Sequence, residues 1–367
     1  MSIWHKFIKN KLAFYALCYV IVVVLVAMFA VPLSLDKSKD ANSIQLSIAA
    51  KPPLFSATIF SFDKKTESQE NGFHKFFFGS SNTNLLVIKE FRLNHAKKEV
   101  LLFDDGEGDS SLFYQTKSYE SLMLTPTADS IEILKHIEKK HVYQKTFWLG
   151  TDAFGRDVLS RMLLGARISL LVGFIAVFIS VTLGVLLGAL AGYYGNKTDA
   201  FIMWLVNTIW SIPTLLLVIA FSMALGKGVW QIFAAVGLSM WVDAARIVRG
   251  QIKSIKEQEY VQAARVLGYS DLRILFRHVL PSLIGPVSVI AASNFASAIL
   301  LEAGLSFLGL GVRPPAPSWG IMIKEHFGHI VLDSAYLAVI PGLAIMFLVM
   351  AFNLIGNGFR DAFDVRL

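Results

Sequence analysis

Three groups of side chains in this sequence have the types and spacing for chemistry. Glu325, His326 and His329 put two imidazoles at i, i+3 on one helix face beside a carboxylate, a pattern able to hold a transition metal. A solvated interfacial helix is the preferred reading of that pattern, and no metal site is assigned. Asp152, Arg156 and Asp157 form a charge cluster around Gly150 and Gly155, which permit tight turns; such a cluster pins a loop at a membrane edge more readily than it binds a solute. The third group is the polar, basic stretch 259–281, EYVQAARVLGYSDLRILFRHVLP, set between two long apolar segments. No G-x-x-x-x-G-K-[ST] run is present to cradle ATP phosphates, and no paired nucleophile and base lies within an apolar run, so no catalytic residue is expected.

The elements that position these groups are membrane spans. A hydrophobic fraction of 54%, only 17% charged residues and a mean hydropathy of +0.56 exceed what a soluble chain of 367 residues carries. The formal charge of +7 does not indicate nucleic acid, because Lys and Arg lie beside apolar runs, where positive-inside retention accounts for them. Cys18 is the single cysteine, which rules out an intrachain disulfide and a C-x-x-C site.

Apolar runs predict six spans, at 12–35, 168–194, 200–226, 228–245, 279–301 and 334–359, the fourth being shorter and ending in Asp243 and Arg246. The first is too long for a cleaved signal and lacks an A-x-A site, so it reads as a retained anchor. Pro213 falls inside the third span, where a kink is tolerated if neighbours satisfy the freed backbone groups. Gly184, Gly188 and Gly192 recur along one helix face and let another helix, of this chain or another, approach closely. Glu302 is expected at the far interface. Between the first two spans, residues 36–147 are polar, lysine-rich and strand-like. They read as a small α+β insert with a flexible portion at 63–71 and one helix, capped by Asp129 with Glu132, whose inner row is Ile131, Leu134 and Ile137.

Within 259–281, Ala263, Ala264, Val266 and Leu267 offer one short helix an apolar face, Gly268 can take the left-handed C-cap conformation, and Ser270 or Asp271 can cap a second helix. Arg265, Asp271, Arg273 and Arg277 would each cost roughly 2.5–3.5 kcal/mol at mid-bilayer, so the segment lies outside the hydrocarbon. Across 246–278, seven Lys or Arg against three acids mark a cytoplasmic loop, on the same side as both termini.

This segment resembles the EAA loop of ABC importer permeases. Gln262-Ala263-Ala264, Gly268, His278 and Leu280-Pro281 keep the family's intervals, with Gln262 in place of the glutamate and His278 in place of the isoleucine. Two further stretches resemble the C-type subunit of dipeptide and oligopeptide importers. They are WLGTDAFGRDVLSRMLLGARISL, with Gly150, Thr151, Asp152, Gly155, Arg156 and Asp157, and EAGLSFLGLGVRPPAPSWG, with Gly309, Gly311, Pro314, Pro315, Ser318, Trp319 and Gly320. In that family a Pro-Pro pair lies shortly before Leu-Gly-Thr-Asp. Here Pro52-Pro53 and Leu149 are separated by the insert, as in long-insert permeases of the Yej type. The C-terminal FNLIGNGFRDAFDVRL is also similar to the family's signature, with Asn357 and Val365 as departures.

The resemblance implies an all-α polytopic membrane protein, a type I ABC importer transmembrane domain of six helices with an α+β extracytoplasmic insert. Its organisation is 1–35 for the N-terminus and first span, 36–147 for the periplasmic insert and 148–367 for the permease domain, with a coupling loop at 246–281. It implies an inner-membrane permease, not an enzyme, that moves peptides by alternating access. Implied partners are a B-type permease, two ATPases that hold the ATP and Mg, an extracytoplasmic solute-binding protein, the peptide and the bilayer. The outer motifs are expected to meet and form a gate, with Trp319 anchored at the interface. Alternatives are a permease for nickel or another small solute, a solitary channel or secondary transporter, and a membrane scaffold whose insert binds a partner.

Overall fold

The computed structural model describes residues 3–63, 83–94, 99–103, 113–118, 130–226, 228–331 and 333–363, with isolated positions between the insert's strands. A short helix, α1 (Ile3–Lys9), runs into α2 (Lys11–Met28), whose N-cap Asn10 accepts from the Ala13 amide at 3.2 Å. The first span is shorter than 12–35. Pro32 has no amide to return to Met28, so the helix stops at Phe29 and only one more turn, Ala30–Leu33, precedes extended Ser34. The freed Met28 carbonyl accepts instead from Arg167 at 3.1 Å.

The insert is built from β1 (Phe55–Asp63), β2 (Thr83–Val87), β3 (Glu90–Asn94), β4 (Glu99–Phe103), β5 (Phe113–Ser118), α3 (Ser130–Lys140) and β6 (Val142–Phe147). Two antiparallel sheets, in the orders β2-β1-β6 and β3-β4-β5, share a core that includes Phe60, Leu86, Val100 and Leu102. Helix α3 closes this core with Ile133 and Ile137 at i, i+4, whereas Leu134 is only half-buried. Asp129, its expected cap, and residues 64–71 lie outside the described residues. The first and last strands pair, with Phe55 opposite Phe147, so the insert leaves and re-enters the chain at one point.

The remainder is helical: α4 (Val158–Tyr194), α5 (Asn196–Trp210), α6 (Thr214–Leu225), α7 (Val229–Lys256), α8 (Glu259–Val266), α9 (Asp271–Ile274), α10 (Ile284–Phe307), α11 (Trp319–His326) and α12 (Tyr336–Phe363). Among the described residues, four of these, α4, α7, α10 and α12, together with α2, are long and apolar enough to cross a membrane. The expected third span is not one kinked helix. Helices α5 and α6 meet at 94°, because Pro213 cannot donate into the preceding turn and biases Ile212 away from helix. Helix α7 runs on past Ala245 to Lys256. Its 28 residues span about 42 Å against a hydrocarbon core of about 30 Å, which carries Arg249, Lys253 and Lys256 beyond the apolar layer.

The glycine face of α4 packs within the chain. A Cβ on Gly184 would lie 2.4 Å from the Ala244 Cβ, one on Gly188 2.5 Å from the Ala245 carbonyl, and one on Gly192 2.9 Å from the Arg249 carbonyl. All three neighbours are on α7, so the glycines bring the two helices into backbone contact. At one end of the bundle, Phe7 packs on Phe359 at 4.9 Å and Asn10 donates to Asp361 at 3.0 Å, placing the two ends of the described chain together.

Candidate functional site

Helix α8 and the segment after it hang from the ends of α4 and α7. Gly268 has φ +77°, its amide returns to Arg265 at 3.0 Å and the next amide, of Tyr269, to Ala264 at 3.2 Å; these paired bonds stop α8 and turn the chain. Ser270 stands at the next N-cap position but makes no capping bond there. Asp271 is used differently, accepting from the Tyr193 hydroxyl at 2.7 Å. The chain then widens into a π turn at Leu275–Val279, next to Pro281, which lacks a donor. His278 stacks on Tyr269 in this turn, and Leu280 packs against the local core.

The apolar face of α8 is not the expected one. Val261 and Ala264 point inward with Ile274, Leu275 and Val279, onto Ala189, Val248 and Ile252. Ala263 is exposed, as are Val266 (88%), Leu267 (73%), Leu272 (60%) and Phe276 (62%). Gln262 is exposed too, folding back to the Glu257 carbonyl at 3.2 Å. The segment therefore presents apolar side chains outward, which a loop bathed only in water does not favour.

At the opposite end of the bundle the charged residues of the two outer motifs form a buried network. Gly150 and Gly155 have φ of +73° and +72°, and between them Asp152 accepts from the amides of Phe154 and Arg156 at 2.8 and 2.9 Å. Arg156 bridges Asp152 at 2.6 Å and Glu325 at 2.7 Å; Arg161 reaches the same Glu325 oxygen at 3.2 Å. His326 Nε2 lies 3.9 Å from Asp152, and burial holds this imidazole below the usual histidine range. The solvated-helix reading of 325–329 is thus corrected for Glu325 and His326, since His326 is buried and Glu325 is ion-paired. Ligand atoms of Asp152, Glu325 and His326 approach within 4.8 Å, but the two guanidiniums already neutralise both carboxylates, so a dication would leave the buried cluster with excess positive charge. Asp157 caps α4, accepting from the Ser160 amide at 3.2 Å, and burial pushes its carboxyl above the usual range.

Thr151 and its neighbours explain the split motif. The Thr151 amide donates to Lys51 at 3.0 Å, the Lys51 amide donates to the Thr151 hydroxyl at 2.9 Å, and a Cβ on Gly150 would lie 2.8 Å from Pro52. The Pro-Pro pair therefore lies beside Leu-Gly-Thr-Asp in space, with the insert looped out between them.

In the second outer motif Gly309 has φ +82° and Gly311 lies against the Ser306 backbone, whereas Gly304 has no close neighbour. The Pro314-Pro315 peptide is cis. Trp319 does not anchor at an interface. It is buried, its indole donates to the Met162 carbonyl at 3.0 Å, and it fills the space left by Gly165. Glu302 is not at a surface either; wholly buried, it accepts from Ser306 at 2.6 Å and from Ser318, the α11 cap, at 2.8 Å. Gly320 allows α11 to approach Ala303, 2.7 Å from its would-be Cβ. The two motifs meet through Trp319 on α4 and Glu325 on Arg156, with α11 as the shared element.

One feature escaped the motif reading. A cavity of about 640 Å³ lies among α6, α7, α10 and α12; its wall is largely apolar, with Met240, Ile290 and Leu301, and Thr214, Asp243, Arg246, Ser293, Ser297 and Arg360 are among its polar side chains. Arg246 is held there over the Trp210 ring at 4.0 Å and donates to Asn207 at 3.2 Å, both residues lying before the 94° break. The signal available in sequence was Asp243 and Arg246 at i, i+3 near the end of an apolar run.

Residues 184–367, half of the chain, match the family described as "Binding-protein-dependent transport system inner membrane component". The chain belongs to this family of transport permeases. Residues 1–53 of the permease match "N-terminal TM domain of oligopeptide transport permease C". Its relatives include the glutathione transport system permease protein GsiD of Pectobacterium atrosepticum, 41% identical over 220 residues, 60% of this chain and 73% of that one. GsiD of Escherichia coli O157:H7 is 43% identical over 220 residues, 60% of this chain and 72% of that one. A chain of the MetNI methionine ABC transporter in an inward facing conformation is 19% identical, covering 55% of this chain and 96% of that one with a TM-score of 0.45. The family and the apolar helices make this permease a multi-pass inner-membrane protein and a component of an importer of the oligopeptide type.

Proposed function

We propose that this permease imports a peptide, with α8, α9 and the turn between them docked on ATPase subunits that bind ATP and Mg. The observation that carries this reading is the outward row Val266, Leu267, Leu272 and Phe276, apolar yet unpartnered on a segment whose charges keep it out of the bilayer. Nucleotide closure in the ATPases moves this helix pair as a rigid body, and its hold on α4 and α7 through Tyr193 and Val261 passes the motion to the spans. A B-type permease completes the path and a solute-binding protein delivers the peptide. Both termini and the docking segment share the cytoplasmic side. The packing of Phe7 on Phe359, and of Phe363 on Gly285 just after Pro281, supports that arrangement. The outer network of Asp152, Arg156, Glu325 and Arg161 then serves as a latch on the far side. Peptide as the solute is supported by the oligopeptide-type N-terminal match and by the relatives' name as glutathione permeases.

The test is uptake of a labelled tripeptide into proteoliposomes holding the full transporter and its binding protein. ATP-dependent accumulation is expected, with at least a tenfold loss on Leu267→Arg. Accumulation driven by a proton gradient without ATP would overturn the reading.

A further inference from the structure

We infer that the cavity among α6, α7, α10 and α12 reads both charged ends of the peptide, Asp243 taking its ammonium and Arg246 with Arg360 its carboxylate. The inference deepens the peptide-import reading and rests on it.

Asp243 is exposed to this cavity and forms no hydrogen bond or ion pair among the described residues. It stands about 21 Å along α7, a helix long and apolar enough to cross a membrane, and a carboxylate on such a span is retained only against water, a counter-charge or a ligand. Arg246 follows at i, i+3 on the same face. Its guanidinium is braced by Trp210 and Asn207, and its Nε is buried with no partner, so the group is oriented before any solute arrives. Arg360, at the end of α12, is exposed to the same cavity. On the facing helix Ser293 and Ser297 lie one turn apart and supply hydroxyls at the spacing of a helical turn, suited to peptide N–H and C=O groups. The volume of about 640 Å³ lies within the roughly 300–1,000 Å³ of pockets that hold drug-sized ligands.

The charge count selects the class of solute. One carboxylate against two guanidiniums leaves the lining net positive, which repels a bare metal dication. It suits a zwitterionic peptide, and best one with a second carboxylate.

The reconstituted transporter, with its partner subunits and binding protein, is given trialanine, N-acetyl-trialanine and trialanine amide. Rates are expressed per molecule of peptide loaded on the binding protein. Wild type should move trialanine about tenfold faster than either blocked peptide, the effect of one charge-assisted hydrogen bond. Asp243→Asn should erase the preference over the acetylated peptide and keep that over the amide. Arg246→Gln should do the reverse, and Asp243→Glu should restore the first preference. Equal losses for all three peptides in either variant would overturn the charge reading while leaving peptide import intact. Wild type that moves none of them with ATP would overturn peptide import, and this inference with it.

Discussion

Arg156 and Glu325, 169 residues apart, are joined at 2.7 Å with the guanidinium 4% and the carboxylate 15% exposed. The pair ties the loop that enters α4 to α11. Because Arg161 shares the same Glu325 oxygen, removing that carboxylate leaves two buried cations with Asp152 as the remaining ion-pair partner of both among the described residues. Glu325→Gln should destabilise the detergent-solubilised permease by about 3 kcal/mol, and a double-mutant cycle with Arg156→Gln should recover part of the loss. The exposed pair Arg92–Glu90 is the control, and Glu90→Gln should leave thermal unfolding unchanged.

His326 faces Asp152, Glu325 and Arg156, and its burial lowers its pKa below the unfolded value. The unfolded chain thus takes up a proton before the folded one does. Stability from this group is complete above the ordinary histidine pKa of about 6.5 and is lost as pH falls through the lower folded value. The unfolding temperature should fall on acidification below about pH 6.5, and His326→Gln should flatten that part of the profile. An identical slope in the variant would remove His326 as the cause.

The close passage of α4 on α7 makes the glycines unequal. Gly184→Ala would put a Cβ 2.4 Å from Ala244 and 2.9 Å from the Trp241 carbonyl, and should cost about 1–3 kcal/mol. A Cβ at Gly250 on α7 meets nothing within 4 Å, so Gly250→Ala should be neutral or stabilise by up to about 1 kcal/mol. Thermal unfolding of the two variants side by side checks the pair.

Phe55 and Phe147 are antiparallel register partners, with Cα atoms about 5 Å apart by the geometry of such pairs. Replacing residues 56–146 with a short Gly-Ser linker should therefore leave a permease that inserts and solubilises as a folded protein. Uptake by this variant separates an insert required for transport from one that is dispensable.

The elements legible in sequence were those with local causes. Gly268 declared its turn, the apolar runs declared the spans, and Gly184, Gly188 and Gly192 declared a close helix contact. The latch was half legible: the cluster at 152–157 was visible, but its counter-charge is on α11, and no spacing rule joins residues 164 and 169 positions apart. The inner face of α8 was misassigned because in an eight-residue helix with Val261, Ala263, Ala264 and Val266 as its small apolar residues the 3.6-residue period fits more than one face. The contact of Pro52 with Gly150 was hidden by the insert. The break at Pro213 was expected as a kink; that it reaches 94° is not encoded in the presence of a proline, which marks where a helix is interrupted and not by how much.

The most direct test of the central claim is co-purification of the tagged permease from its native membrane, wild type beside Leu267→Arg. Leu267 is 73% exposed, so the substitution alters the docking surface without touching the core. Wild type should bring down ATPase subunits and a second permease, and the variant should keep the second permease and lose the ATPases. Wild type that purifies alone, or a variant that retains ATPases at the wild-type level, would contradict the coupling role of 259–281.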